Sequence, residues 1–170
     1  MKKIGFRDVK LVAYDFDGVM TNNRVILRED GMESVVVNRS DGLAVEMLKK
    51  MHIDQVIITK ERNKVVEARA KKLGIPLLKG VDDKKDALLS YCRENRISPA
   101  DVVYIGNDLN DLDVMSVVGY PACPSDACAE VKSISGFIFR AAGGDGVVRE
   151  LWGLLENHLE SVGGGKWVIR

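Results

Sequence analysis

Lys10-Leu11-Val12-Ala13-Tyr14-Asp15-Phe16-Asp17-Gly18-Val19-Met20-Thr21 decides how this chain folds. An apolar run reads as a buried strand, then ends in two carboxylates two residues apart and a glycine turn. Carboxylates inside a buried strand would be charges without partners, which is costly, so the pair marks the strand's end. At the carboxyl end of a parallel strand it sits in the crevice where open α/β sheets bind ligands. Phosphoryl transfer uses such a pair: one carboxylate attacks phosphorus while its neighbour handles the leaving-group proton. An isolated D-x-D-G also fits a capped turn with solvated acids, so the rest of the chain has to decide.

Strand and helix patterns alternate almost throughout, which predicts an α/β fold: a doubly wound, Rossmann-like parallel sheet with helices on both faces. Residues 24–27 and 34–38 flank the turn Arg28-Glu29-Asp30-Gly31-Met32 and predict a projecting β-hairpin flap. A helix is expected over 41–51 with Leu43, Met47, Leu48 and Met51 inward, then a strand over 55–59. The next helix carries Val65, Val66, Arg69, Ala70 and Leu73 and stops at Gly74. Leu77-Leu78 reads as a short strand, 84–95 as a helix, Ser98-Pro99 as a capped helical turn, and 102–105 as a strand. A helix through Leu112, Met115 and Val118 ends at Gly119. Pro121-Ala122-Cys123 and Ile138-Phe139 are further short strands, and 147–159 is the last helix. Residues 1–170 are expected to form a single domain, with 160–170 a flexible C-terminal tail.

The balance of 25 basic and 25 acidic residues, scattered along the chain, points to neither a nucleic-acid nor an anionic-membrane partner. Lys49-Lys50 and Lys71-Lys72 read as solvated helix ends. Cys92, Cys123 and Cys128 have neither the number nor the spacing of a disulfide framework or a zinc site, and a reducing cytoplasm suits them. His52 and His158 read as surface or packing residues. No apolar run is long enough to span a membrane.

Three further segments follow apolar runs: Thr59 after Val56-Ile57-Ile58, Gly80-Val81-Asp82-Asp83-Lys84 before a helix, and Gly106-Asn107-Asp108-Leu109-Asn110-Asp111 after Val102-Val103-Tyr104-Ile105. Together with Asp15 and Asp17, and in this order, they resemble the four motifs of the haloacid dehalogenase-like phosphatases, from about Val9 to His158. Only a hairpin and one helix separate the first two motifs, so the chain resembles the capless members.

The resemblance implies an Mg²⁺-dependent phosphatase. It makes Asp15 the nucleophile that forms an aspartyl-phosphate, and Asp17 the acid that protonates the leaving alkoxide and then deprotonates water. Thr59 would donate to a phosphoryl oxygen, and Lys84 rather than Lys85 would neutralise charge there. Asp15, Asp17, Asn107, Asp108 and Asp111 become the candidate metal ligands. The family usually has a first Asp where Asn107 stands, so either Mg²⁺ binds more weakly or Asp108 and Asp111 carry more of the load.

Asn38-Arg39-Ser40-Asp41-Gly42 and Gly143-Gly144-Asp145-Gly146-Val147-Val148-Arg149-Glu150 narrow the likeness to the small capless sugar-acid phosphatases. These comprise octulosonate 8-phosphate and nononate 9-phosphate phosphatases and the phosphatase-like domains of acylneuraminate cytidylyltransferases. Octulosonate enzymes typically read T-G-R after the second motif; nononate enzymes tend to read T-G-E with a lysine in the following helix. Here Thr59-Lys60-Glu61 and Lys72 favour a nine-carbon sugar acid, with Lys60, Glu61 and Lys72 joining Thr59 and Lys84 as substrate-binding candidates. Lys60 and Asn107 also leave open a catalytically weak assembly module with a cytidylyltransferase partner. The resemblance implies a homotetramer formed through the hairpin, and a tail carrying Lys166-Trp167-Val168-Ile169-Arg170 that closes a neighbour's site.

Overall fold

The structure, a computed structural model, describes residues 8–161, with side chains through 156. The expected tail lies, from residue 162 onward, outside the described residues, and so does the lid assigned to it.

Six strands form one sheet in the order β5-β4-β1-β6-β7-β8, each parallel to its neighbour. They are β1 (Leu11–Tyr14), β4 (Asp54–Ile58), β5 (Leu77–Leu78), β6 (Val102–Ile105), β7 (Tyr120–Cys123) and β8 (Phe137–Ile138). Central β1 is buried on both faces, and its alternation divides the core. Val12 and Tyr14 pack with α1 (Arg39–Lys50), α2 (Lys64–Leu73) and α6 (Val147–Ser161). Leu11 and Ala13 pack with α3 (Lys84–Asn95), α4 (Leu112–Met115) and α5 (Ala129–Ile134). This is the doubly wound sheet expected from the sequence.

Several boundaries differ, each for a local reason. Helix α1 begins two residues early because Asn38 caps it, its Oδ1 accepting from Ser40 N. Leu43, expected inward, is exposed; Ala44 and Val45 take the buried stripe with Met47 and Leu48. The helix expected to run to Gly119 stops at Met115, and α5 forms between two expected short strands, where no element was expected. Lys49 is not merely solvated: its Nζ donates to the carbonyls of Leu73 (2.7 Å) and Gly74 (2.8 Å), closing the C-terminus of α2.

The hairpin is present but short, β2 (Ile26–Leu27) against β3 (Glu33–Ser34), with a single bridge between Thr21 and Val37 at its base. Its apolar side chains point outward: Val25, Ile26, Leu27, Met32 and Val36 are 52–68% exposed. Only Val35 and Val37, on its returning arm, pack against the core, and the two strands beyond them pair over two residues each.

Asp41 ties α1 to α6. Fully buried, it accepts from Arg149 N at 3.1 Å, capping a helix 108 residues away. Its Oδ2 and the nearby Arg69 Nε have no partner among the described residues. Burial pushes this carboxyl up to about 6, against the Arg149 amide, the Arg69 guanidinium and the Val148 amide. The folded protein therefore holds this proton more tightly than the unfolded chain does. The group costs stability progressively as pH rises from about 4, and the full cost is present above about 6. Asp41→Asn keeps an acceptor and removes the charge. Urea melts should show the variant gaining on wild type between pH 4 and pH 7, by on the order of 2–3 kcal/mol. A constant difference would mean that the Asp41 carboxyl titrates alike in the folded and unfolded chain.

Candidate active site

The carboxyl ends of β1, β4 and β6 bring Asp15, Thr59 and Asn107 to one edge of the sheet, and the first residue of α3 adds Lys84. Asp15 is buried. Its Oδ1 accepts from Phe16 N at 2.8 Å and pairs with Lys84 Nζ at 2.9 Å. Lys84 is only 3% exposed and also reaches Asp111 Oδ1 at 2.8 Å, so one ammonium bridges two carboxylates. Burial alone would lower the Lys84 ammonium, but Asp15 and Asp111 outweigh it and hold its pKa above the usual value. Burial, with Asp111 adding, pushes the Asp15 carboxyl up to about 7 against the pull of Lys84 and the Phe16 amide. A cation beside Asp15 would favour its ionised, nucleophilic form.

After Asp15 the chain turns tightly, with Met20 N (2.9 Å) and Thr21 N (3.2 Å) both donating to Phe16 O. Gly18 takes φ +77°, and a Cβ there would lie 1.9 Å from Asn107 Nδ2. Only glycine lets the loop backbone and the Asn107 amide share this space. Thr21, fully buried, was given no role from the sequence. Its hydroxyl donates to Asp17 Oδ1 at 3.2 Å and accepts from Gly18 N and Asn23 N at the same distance. A threonine four residues after the acid, across the glycine turn, was the available signal. Desolvation raises the Asp17 carboxyl, Glu61 and Glu33 add to this, and the Thr21 hydroxyl and Lys84 oppose it. That direction suits a group that must deliver a proton.

The structure places Asp111 behind the site, as a positioning residue and not a metal ligand. Its Oδ1 accepts from Lys84 and, at 2.8 Å, from the Tyr104 hydroxyl; its Oδ2 accepts from the Asn107 and Asp108 amides at 2.9 and 3.4 Å. With both oxygens engaged at full burial, none is left for a cation. Asp108 is exposed and caps the turn Leu109–Asp111, Oδ1 accepting from Leu109 N at 2.8 Å.

Asn107 is buried and faces the turn that carries Asp15 and Asp17. One end of its amide lies 3.0 Å from Asp17 O and 3.3 Å from Asp15 Oδ2. With nitrogen there, it hydrogen-bonds both; with oxygen there, three oxygens converge with no donor between them. Adjacent ligands of an octahedral cation with bonds of about 2.1 Å stand roughly 3 Å apart, so Asp15 Oδ2, Asp17 O and Asn107 Oδ1 fit Mg²⁺.

Thr59 is buried, its Oγ1 accepting from Glu61 N at 3.1 Å, and its proton meets no acceptor among the described residues. Lys60 is exposed. Glu61 lines a cavity of about 510 Å³ between the hairpin (Gly31, Met32, Glu33) and the start of α2. Lys72 is not brought to the same place. It lines a separate cavity of about 290 Å³ between α1 and α2, with Arg39, Glu46 and Arg69.

Residues 59–151, more than half of the chain, match the family model for haloacid dehalogenase-like hydrolases. The chain belongs to the haloacid dehalogenase-like hydrolases. Across 149 residues this hydrolase is 35% identical to 3-deoxy-D-manno-octulosonate 8-phosphate phosphatase of Yersinia pestis, covering 87% of this chain and 80% of that one. It is also similar to the Moraxella catarrhalis 3-deoxy-D-manno-octulosonate 8-phosphate phosphatase solved with magnesium, phosphate and KDO. The TM-score is 0.87 at 32% identity, over 91% of this chain and 89% of that one. A haloacid dehalogenase family hydrolase from Streptomyces avermitilis superposes with a TM-score of 0.85 at 41% identity, covering 87% and 91% of the two chains. The resemblance first carried by Asp15, Thr59, Lys84 and the acidic loop thus extends over most of this hydrolase.

Proposed function

We propose that this hydrolase is an Mg²⁺-dependent phosphomonoesterase that removes the terminal phosphate of a 3-deoxy-2-ulosonic acid phosphate. The observation that carries this reading is the buried Lys84 bridging Asp15 and Asp111 beside a convergent oxygen set. Asp15 attacks phosphorus, the bond to the sugar oxygen breaks, and Asp17 gives that alkoxide its proton. Water then attacks the aspartyl-phosphate, Asp17 takes the water's proton, and inorganic phosphate leaves with Asp15 regenerated. Thr59 and Lys84 hold the phosphoryl oxygens throughout. Asp15, Asp17 and Asn107 would hold the Mg²⁺, which supplies charge neutralisation and orients the phosphoryl group.

Within this substrate class, Glu61 and Lys72 favour a nine-carbon acid. A carboxylate accepts hydrogen bonds from a polyol or acylamino group, and a lysine pairs with a substrate carboxylate. The two line different cavities, so they meet one substrate only across a boundary between copies of the chain. The exposed apolar hairpin supplies the surface for a homotetramer. Octulosonate 8-phosphate is the second reading, supported by the relatives' activity. A cytidylyltransferase partner rests on Lys60 and Asn107 alone.

Steady-state kcat/KM on octulosonate 8-phosphate, nononate 9-phosphate and acylneuraminate 9-phosphate tests the reading, with Glu61→Ala alongside. The nine-carbon esters should lead, and Glu61→Ala should lower kcat/KM on the leading one by roughly tenfold more than on a small generic ester. Uniformly negligible turnover would replace the enzyme with the assembly module.

Asn107→Asp adds a charged oxygen at the convergent site. Activity titrated against Mg²⁺ should show apparent affinity rising by roughly tenfold, about 1.4 kcal/mol. Unchanged affinity would put Asn107 outside the coordination shell.

A further inference from the structure

The glycine motif 143–146 and the Glu150 that follows have no part in the chemistry above. Yet three carboxylates from separate parts of the chain accept backbone N–H groups of this one stretch. Glu150 accepts from Arg140 N (3.0 and 3.1 Å) and Ala141 N (2.9 Å). Asp126, in the loop between β7 and α5, accepts from Gly143 N at 2.9 Å, and Asp41 accepts from Arg149 N at 3.1 Å. Residues 140–150 are therefore closed on themselves by Glu150 and tied to the rest of the chain at Gly143 and Arg149.

What they are held against is the catalytic loop. Gly144 N donates to Val19 O at 3.0 Å. A Cβ on Gly143 would stand 2.2 Å from Gly18 O and 3.0 Å from Thr21 O; one on Gly144, where φ is +77°, would stand 2.6 Å from Asn22 N. Two backbones touch without side chains between them, over the residues that place Asp17: Gly18, next to it in sequence, and Thr21, whose hydroxyl binds its carboxylate. A contact this close fixes position, because either backbone can move only if the other yields.

We propose that residues 140–150 form a backing plate that sets the position of the catalytic loop, and that Asp126 is a positioning residue acting through it. Asp126 is exposed and touches no reacting group, so its loss loosens the plate without opening the core. The effect falls on where Asp17 stands, and so on kcat more than on KM; the kinetic arm rests on the phosphatase reading above.

The experiment compares Asp126→Ala with Asp126→Asn, which keeps an oxygen acceptor, in the full chain. Amide hydrogen exchange over residues 18–22 should quicken by about tenfold in the alanine variant and return towards wild type in the asparagine variant. On the best sugar-acid phosphate, kcat should fall by roughly tenfold for Asp126→Ala, with KM within about twofold, and recover for Asp126→Asn. Gly144→Ala, which pushes on the loop directly, should lower kcat in the same way. Unchanged exchange at 18–22 in Asp126→Ala overturns the plate, and quickened exchange with unchanged kcat overturns its positioning role. A wild type inactive on every phosphate ester would defeat the phosphatase reading instead, while the exchange comparison would still decide whether the plate holds the loop.

Discussion

Asp15→Asn is expected to eliminate turnover while leaving the protein folded and at least as stable as wild type. Asparagine has nearly the same shape and can still accept from Phe16 N, the 2.8 Å bond that fixes the side chain in the turn. It offers no anionic oxygen to phosphorus, so the covalent step has no nucleophile, and kcat should fall by on the order of 10⁴-fold or more. Stability should move the other way. The buried Asp15 carboxyl is pushed up to about 7, so near neutral pH its charge is disfavoured by the fold. Removing that charge should therefore leave the melting temperature unchanged or raised at pH 8, with Lys84 still paired to Asp111. Single-turnover assays and thermal melts on the same preparation check both parts. Substantial turnover by the variant would move the nucleophile elsewhere, and a large loss of stability would show that the Asp15 charge is needed to hold Lys84.

How much of this was legible in the sequence follows from what each residue's signal depends on. Asp15, Thr59 and Lys84 each stand where an apolar run ends or a helix begins, and local pattern is enough to find them. The sheet was legible for the same reason, since Leu11 to Tyr14 and Val102 to Ile105 are wholly buried runs. Asp111 was not. It follows Asn107 and Asp108 in an acidic loop, and sequence spacing alone makes it look like one more ligand. Its inward rotation onto Lys84 and Tyr104 is a tertiary fact. Thr21 was hidden because its partner, Asp17, comes back to it only through a turn closed at Phe16 O. Asp41 and Asp126 were hidden more deeply, since each accepts from a backbone amide far along the chain. Lys72 shows the reverse limit: its place in the helix was foreseeable, but the cavity it lines depends on how α1 and α2 pack.

Lys84→Met is expected to cost both activity and folding stability, and the pH dependence of the second loss identifies its cause. Methionine nearly matches the length of the lysine stem, so the cavity term is small and the change is chiefly electrostatic. Lys84 is bonded to Asp15 at 2.9 Å and Asp111 at 2.8 Å with almost no solvent contact. Without it, two buried carboxylates share a site with no cation between them, a loss of roughly 3–5 kcal/mol at pH 8. The Asp15 carboxyl, already raised by burial and by Asp111, would then lose the opposing pull of Lys84, so its penalty grows with rising pH and fades as pH falls towards 4. Denaturant melts at pH 5 and pH 8 should therefore show a deficit that is larger at pH 8. Adding Asp111→Asn removes one of the two like charges and should restore part of the stability. Activity should not return in the double variant, because the cation facing the phosphoryl oxygens is still missing. A deficit equal at both pH values would assign the loss to packing, and recovered turnover in the double variant would show that Lys84 serves only to neutralise Asp111.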